Sequence, residues 1–218
     1  MLYNYSMLML LYGYIFYYIS ATIGLSIGYH RYFTHRSFSA SPFFEYIMLF
    51  FGLICGGRGA LTWCAVHRMH HAKSDTVDDP HSPKYKGALN ILLSRWTVSY
   101  IPKKFVVDLI RNPRVVFFHK YGKYIHLAYG LIMLALGLEV FFVFVISPFV
   151  LSYVGFGLLN YFGHKDGEPK NAPWINLVAP GEGWHKNHHN TPRATSLHKY
   201  DIAGWIIERF FTTAKSSS

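Results

Sequence analysis

Four short stretches hold the residues most capable of chemistry. They are His30-Arg-Tyr-Phe-Thr-His35, His67-Arg-Met-His-His71, Asn160-Tyr-Phe-Gly-His164 and His185-Lys-Asn-His-His189. Nine of the thirteen histidines fall inside them, and each stretch adjoins apolar sequence. Neutral imidazole is a ligand for iron, zinc, copper or nickel, and nine such ligands exceed what one ion can use. Two neighbouring metal ions are the simplest reading.

Helices must position these side chains. Residues three or four apart share a helical face, so His67, His70 and His71 point one way, and His185, His188 and His189 repeat the arrangement. Asn160 and His164 are also four apart. His30 and His35 are five apart, about 140° around a regular helix. That spacing predicts a pair straddling a helix end, with one ligand on the helix and one just beyond it.

With these flanks the chain resembles the membrane fatty-acyl desaturases, specifically the stearoyl-desaturase-like Δ9 group, in a prokaryotic-like form. The resemblance runs from about Gly24 to Phe211. It includes Gly28-Tyr-His-Arg-Tyr-Phe-Thr-His-Arg-Ser-Phe38, His67-Arg-Met-His-His-Ala-Lys-Ser-Asp-Thr-Val-Asp-Asp-Pro-His81 and Gly181-Glu-Gly-Trp-His-Lys-Asn-His-His-Asn-Thr-Pro-Arg193. It implies an O2-dependent enzyme that inserts a cis double bond, at Δ9, into a saturated acyl chain at a diiron site. The implied iron ligands are His30, His35, His67, His70, His71, His164, His185, His188 and His189, with Asn160 holding one iron through a water. Zinc is a possible adventitious occupant. Asp75, Asp78, Asp79 and Glu182 stand near the boxes as candidate orienters of the imidazole N–H groups. His81 reads as a structural hydrogen-bonding residue, and His119, His126 and His198 match no box.

Such a reaction has no acid–base handle, because no carbonyl adjoins the reacting carbons. Activated oxygen at a metal must supply the oxidant, and the protein positions the chain and excludes water. Candidate substrate contacts are Trp63, Phe156, Gly157 and Trp184. Family members tend to have Thr-Trp before the third box, lining the bend of the acyl tunnel, where this chain has Phe156-Gly157, and animal acyl-CoA enzymes carry Arg-Asp before the second, where it has Ala65-Val66. A CoA, acyl-carrier-protein or lipid-ester head group therefore all stay open. The chain has no haem-attachment motif and no iron–sulfur cysteine run, so electrons are expected from ferredoxin or cytochrome b5. Competing readings are an acyl hydroxylase or other oxygenase on the same scaffold, a metal-handling membrane protein, and an inactive homologue.

Composition agrees with a membrane protein: 51% hydrophobic, 18% aromatic and 15% charged residues. The formal charge of +10 is confined, since all 21 Lys and Arg lie in 31–123 or 165–215. That asymmetry follows the positive-inside rule and argues against nucleic acid. Cys55 and Cys64 read as reduced packing residues.

The expected fold is an all-α integral membrane domain over 1–218. It has about three transmembrane helices, near 2–29, 124–138 and 140–164, plus interfacial helices near 43–66. A helical cytoplasmic cap, 67–123 and 165–211, holds the histidine-rich dinuclear metal site, and 212–218 is a frayed tail. The stretch 43–66 is too short to cross ~30 Å twice at 1.5 Å per residue. Ending near the site where it began, it must lie flat or dip and return. The turn between the last two spans is expected at Gly137-Leu-Glu139, with a kink at Ser147-Pro148. The family's usual first span is missing, which places the N-terminus on the non-cytoplasmic side and the metal site on the cytoplasmic side.

Overall fold

The computed structural model describes residues 2–213. Helix α1 (Leu2–Ala21) runs without a break into a π-helical segment, Thr22–Thr34. Its backbone bonds there run from residue i to i+5, as in His35 N–H to His30 O at 3.1 Å. Glycines let this segment approach its neighbour closely. A Cβ on Gly24 would collide with the backbone at Gly52, and one on Gly28 would lie 2.7 Å from Met48 Cβ.

That neighbour is α2 (Pro42–Ile54), which ends in the turn Cys55–Gly59 and returns as α3 (Ala60–Lys73). The chain thus dips and comes back, and α3 continues straight through the second histidine stretch, so the expected boundary at 66/67 falls inside a helix. Cys55 and Cys64 are buried and free. Short helices α4 (Pro83–Lys86) and α5 (Ala88–Leu92) and two 3-10 turns lead to α6 (Pro113–Leu136).

Helix α6 starts well before the expected Tyr124, because Asn112 caps it. The Asn112 side chain accepts from Arg114 N–H and Val115 N–H, with Pro113 at the first helical position. Leu109, Val115 and Phe118 turn inward to the core. Gly137, at φ +141°, closes α6, and α7 (Leu138–Phe141) begins at once. A second π-helical stretch, Phe142–Ile146, then joins α7 to α8 (Ser147–His164) immediately before Pro148.

Among the described residues, two helices are long and apolar enough to cross a bilayer, Met7–Thr34 and Leu138–His164. Beyond α8 come a 3-10 turn (Pro173–Leu177), α9 (His185–Asn190) and α10 (Ile202–Phe210). Helix α10 buries Ala203 and Ile207 and exposes Ile202, Trp205 and Phe210. Thr212 and Thr213 pair antiparallel with Ser39 and Phe38. These two residues are therefore a short strand (β2, against β1 at Phe38–Ser39) instead of tail; 214–218 lie outside the described residues.

Candidate metal centre

Four helices bring the histidines together at the ends nearest the polar segments. His30 and His35 come from the π segment, His67, His70 and His71 from α3, His164 from the end of α8, and the last three from α9. The π winding explains the five-residue spacing: with i to i+5 bonding, His30 and His35 share a face, and their rings lie 5.0 Å apart. His35 is also the residue that ends the helix.

The nine rings sort into two groups. His30, His35, His67, His71 and His188 form one; His70, His164, His185 and His189 form the other. Within each group the ligating atoms all lie within 4.8 Å of one another. His30, His70, His164, His185 and His188 are buried.

Carboxylates behind the rings fix their orientation. His70 Nδ1 lies 3.0 Å from Asp79, His164 Nδ1 2.8 Å from Asp75, and His30 Nδ1 2.7 Å from Glu182. Burial pushes the Asp79 carboxyl up to about 6, while the Asp75 and His81 backbone N–H groups oppose that rise. Asp79 is thus ionised at neutral pH and accepts the proton of His70 Nδ1. Burial raises and the His30 and Arg31 charges lower Glu182, which ends below the usual carboxylate range. Burial also drives down the imidazoles of His67, His70, His185 and His188, and takes His71 to about 3 and His189 to about 2, so these rings are neutral. Asp78 takes no part and pairs with Lys73 at the surface, 3.4 Å away.

This arrangement creates a conflict that a cation resolves. A neutral imidazole that donates through Nδ1 carries a lone pair at Nε2. Yet His70 Nε2 faces His164 Nε2 at 3.1 Å, and both rings donate through Nδ1 to carboxylates. His70 Nε2 also lies 3.2 Å from His189 Nε2, and His164 Nε2 lies 2.7 Å from His185 Nε2. In the other group, His30 Nε2 is 2.9 Å from His188 Nε2. In the second group the His70 and His164 lone pairs face each other, and in both groups ring nitrogens converge on one another, as the donors of a metal site do. His35 Nε2 and His185 Nδ1 are buried without any hydrogen-bond partner among the described residues.

A cavity of about 340 Å³ opens from the histidines into the helical body. His30, His67, His70 and His185 form one end; Tyr17, Phe149 and Ser152 lie far along it. Trp63, Phe156 and Asn160 line it as well. Gly157 and Trp184 do not. Gly157 sits against the Leu92 carbonyl, letting α5 pack on α8, and Trp184 stacks on His198 at 3.8 Å. His81 is buried, but its ring makes no side-chain hydrogen bond among the described residues. It stacks on His70 at 4.2 Å and lines the cavity, while its backbone N–H donates to Asp79. Trp96 and Ser152 also line the cavity and drew no notice in the sequence, for they belong to no spaced pattern; Arg58, which the sequence places near the headgroups, lines it too.

A sequence model of the family described as Fatty acid desaturase matches residues 5–215. The chain is 34% identical, over 79% of its length and 68% of the relative's, to an sn-1 stearoyl-lipid 9-desaturase of Anabaena variabilis. It is 33% identical to a protein of the same description from Synechocystis sp., over 93% of the chain and 67% of that protein. An sn-2 palmitoyl-lipid 9-desaturase of Nostoc sp. is 28% identical over 86% of the chain and 73% of its own length.

Proposed function

We propose, from the premise that this chain belongs to the fatty acid desaturase family and is an acyl-chain desaturase, that it inserts a cis Δ9 double bond into an acyl chain carried on a lipid, at a diiron centre. The observation that carries the metal reading is the convergence of ring nitrogens in each histidine group, with the His70 and His164 Nε2 lone pairs opposed at 3.1 Å. His30, His35, His67, His71 and His188 would hold one iron, and His70, His164, His185 and His189 the other, with Asn160 reaching it through a water. An all-nitrogen donor set of neutral imidazoles suits ferrous iron as well as zinc. When bound, iron supplies the oxygen activation that an unactivated methylene pair requires.

The chain's own residues do the rest. Asp79, Asp75 and Glu182 hold the His70, His164 and His30 rings in one tautomer and one orientation. The cavity takes the acyl tail, with Trp63 and Phe156 as apolar walls near the histidines and Tyr17 and Phe149 toward its far end. Packing along these walls excludes water and fixes which two carbons lie nearest the site. The net reaction is –CH2–CH2– + O2 + 2 e⁻ + 2 H⁺ → –CH=CH– + 2 H2O. An external carrier supplies the two electrons. A lipid-borne substrate is supported by Ala65-Val66 in place of the acyl-CoA enzymes' Arg-Asp and by the relatives' lipid substrates.

The membrane arrangement follows from charge. Helices Leu2–Thr34 and Leu138–His164 would cross, as would the uncharged second half of α6, with Gly137 on the far side and every Lys and Arg on the near one. The α2–α3 pair dips in and returns. The metal groups then lie at the cytoplasmic face and the start of α1 on the opposite side.

Expression in a desaturase-deficient host, with fatty acids analysed by mass spectrometry and His70→Ala as control, tests the activity. New monounsaturated chains absent from the variant are expected. Hydroxylated chains would establish an oxygenase instead. No product from iron-loaded protein given a working electron donor overturns the reading.

A further inference from the structure

Beside the first histidine group lies a second hollow, an open groove of about 790 Å³ that has no lining residue in common with the acyl cavity. Its floor is Thr34 and His35. Three of the four histidine stretches send the residues just after a ligand into its walls: Arg36 follows His35, Arg68 follows His67, and Thr191–Ala194 follow α9. Lys104 closes the remaining side.

Four cationic side chains thus face one carboxylate, Asp108, for a formal charge of +3. Asp108 is already engaged, 2.7 Å from Arg68 and 2.5 Å from Arg36. Lys104 and Arg193 are exposed and have no ion-pair partner among the described residues. The cationic character is therefore turned outward.

We propose that this groove is the docking site of the electron carrier, a small acidic redox protein, and that electrons enter the metal centre over His35. The inference rests on the desaturase reading above. Electron transfer slows steeply with distance, so a donor must seat against an edge of the metal centre. His35 is both the groove floor and a member of the five-histidine group, its ring 4.7 Å from those of His71 and His188. The carrier is oxidised by one electron at each visit, and two visits supply the two electrons that O2 requires beyond the two drawn from the C–C unit. Charge complementarity steers such encounters and sets their salt dependence. An anionic lipid headgroup would match the charge too, but would gain nothing from His35.

The test uses full-length, iron-loaded protein in vesicles of neutral lipid, with reduced ferredoxin as probe. Lys104→Glu together with Arg193→Glu is expected to raise the KM for ferredoxin about tenfold at low salt and flatten its salt dependence, as charge changes at an encounter surface do. Ferredoxin binding to the iron-loaded protein without O2 or acyl substrate, followed by biolayer interferometry, should weaken in parallel. Lys84→Glu with Lys86→Glu, outside the groove on α4, makes the same charge change and should leave both unchanged. Single turnover after chemical reduction should be unaffected in either variant. Wild-type ferredoxin KM and binding in the groove variant would overturn the docking site, as would equal losses in both variants. Loss of chemically reduced turnover that anionic lipid restores would make the groove a headgroup site instead. If chemically reduced wild-type protein makes no product, the desaturase reading fails, not the groove.

Discussion

Arg31 and Asp201 form an ion pair at 2.9 Å with both side chains out of solvent, at 1% and 0% exposure. The two residues are 170 positions apart, so the pair fastens the last histidine-bearing segment to the helix that carries His30 and His35. The Arg31 guanidinium also donates to the Gly181 and Thr195 carbonyls, and Asp201 caps α10 at Gly204 N–H. Arg31→Met would strand a buried carboxylate, a loss of about 3–5 kcal/mol. Thermal unfolding should show it, and Arg31→Met with Asp201→Asn should recover part of the loss. Equal midpoints for wild type and Arg31→Met would remove this role.

On the proposed diiron reading, the carboxylates behind the rings should act on metal retention. Asp79→Asn should lower iron affinity about 10–100-fold, the usual scale for such supporting groups, with helix content unchanged by circular dichroism. Glu182→Gln should do the same to the other iron, so each variant retains about one tightly held ion per chain. Elemental analysis after dialysis against a graded chelator distinguishes one ion from two or none.

Metal removal should destabilise the native state. Without a cation, the facing Nε2 lone pairs repel inside a buried site, and metal affinity is linked directly to folding free energy. Chelation is expected to lower the unfolding temperature, and ferrous iron to restore it in proportion to the logarithm of free metal. A transition that ignores both would contradict the lone-pair argument.

Glu45 gives a pH-dependent contribution. Burial raises its carboxyl, but hydrogen bonds from Arg114, Asn112 and Tyr32 outweigh this and hold it below its ordinary value of 4.5. The stabilisation is present above pH 4.5 and is lost as pH falls through the depressed folded value. Below that range Glu45 no longer ties α2 to the start of α6, where Asn112 Nδ2 donates to it at 2.7 Å. Glu45→Gln should cost about 2 kcal/mol at neutral pH and flatten the acid limb of the stability curve. An unchanged acid limb would show that other carboxylates govern it.

The far end of the cavity should set chain length. Ser152, buried beside Tyr17 and Phe149, has a hydroxyl without a partner among the described residues. Ser152→Phe would shorten the available space, shifting products toward shorter chains in a competition between palmitoyl and stearoyl lipids. A product ratio equal to wild type would place the tail elsewhere.

The clustering of the histidines was legible in the sequence because a helix converts spacing into direction, but their division was not: His67 and His71 join one group and His70 the other, and His188 parts from His185 and His189. For His30 and His35 the five-residue gap reads as a helix end, and His35 does lie just beyond Thr34; the π winding that also sets the two rings on one face leaves no mark in residue types. The start of α6 carried a signal, Asn112-Pro113, but it resembles a break as much as a cap, and charge drew the boundary later. The cavity was largely hidden. Trp96, Ser152 and Tyr17 come from three distant segments and meet through packing, which no local pattern encodes. Gly157 was chosen for its place before the third histidine stretch, whereas its use is to let Leu92 approach.

The π segment behaves as an insertion held in the helix, one residue more per turn of bonding than the chain on either side of it. Removing a single residue between Ile23 and Tyr29 with the π winding retained would put everything beyond one residue out of step, a rotation of about 100° on an ordinary helix. His35 would leave the first histidine group, and the floor of the cationic groove would leave with it. Ligand identity would be intact and the site would be gone. Tolerance to length change should therefore be lowest there, in a stretch of small and aliphatic residues that by composition alone looks most replaceable.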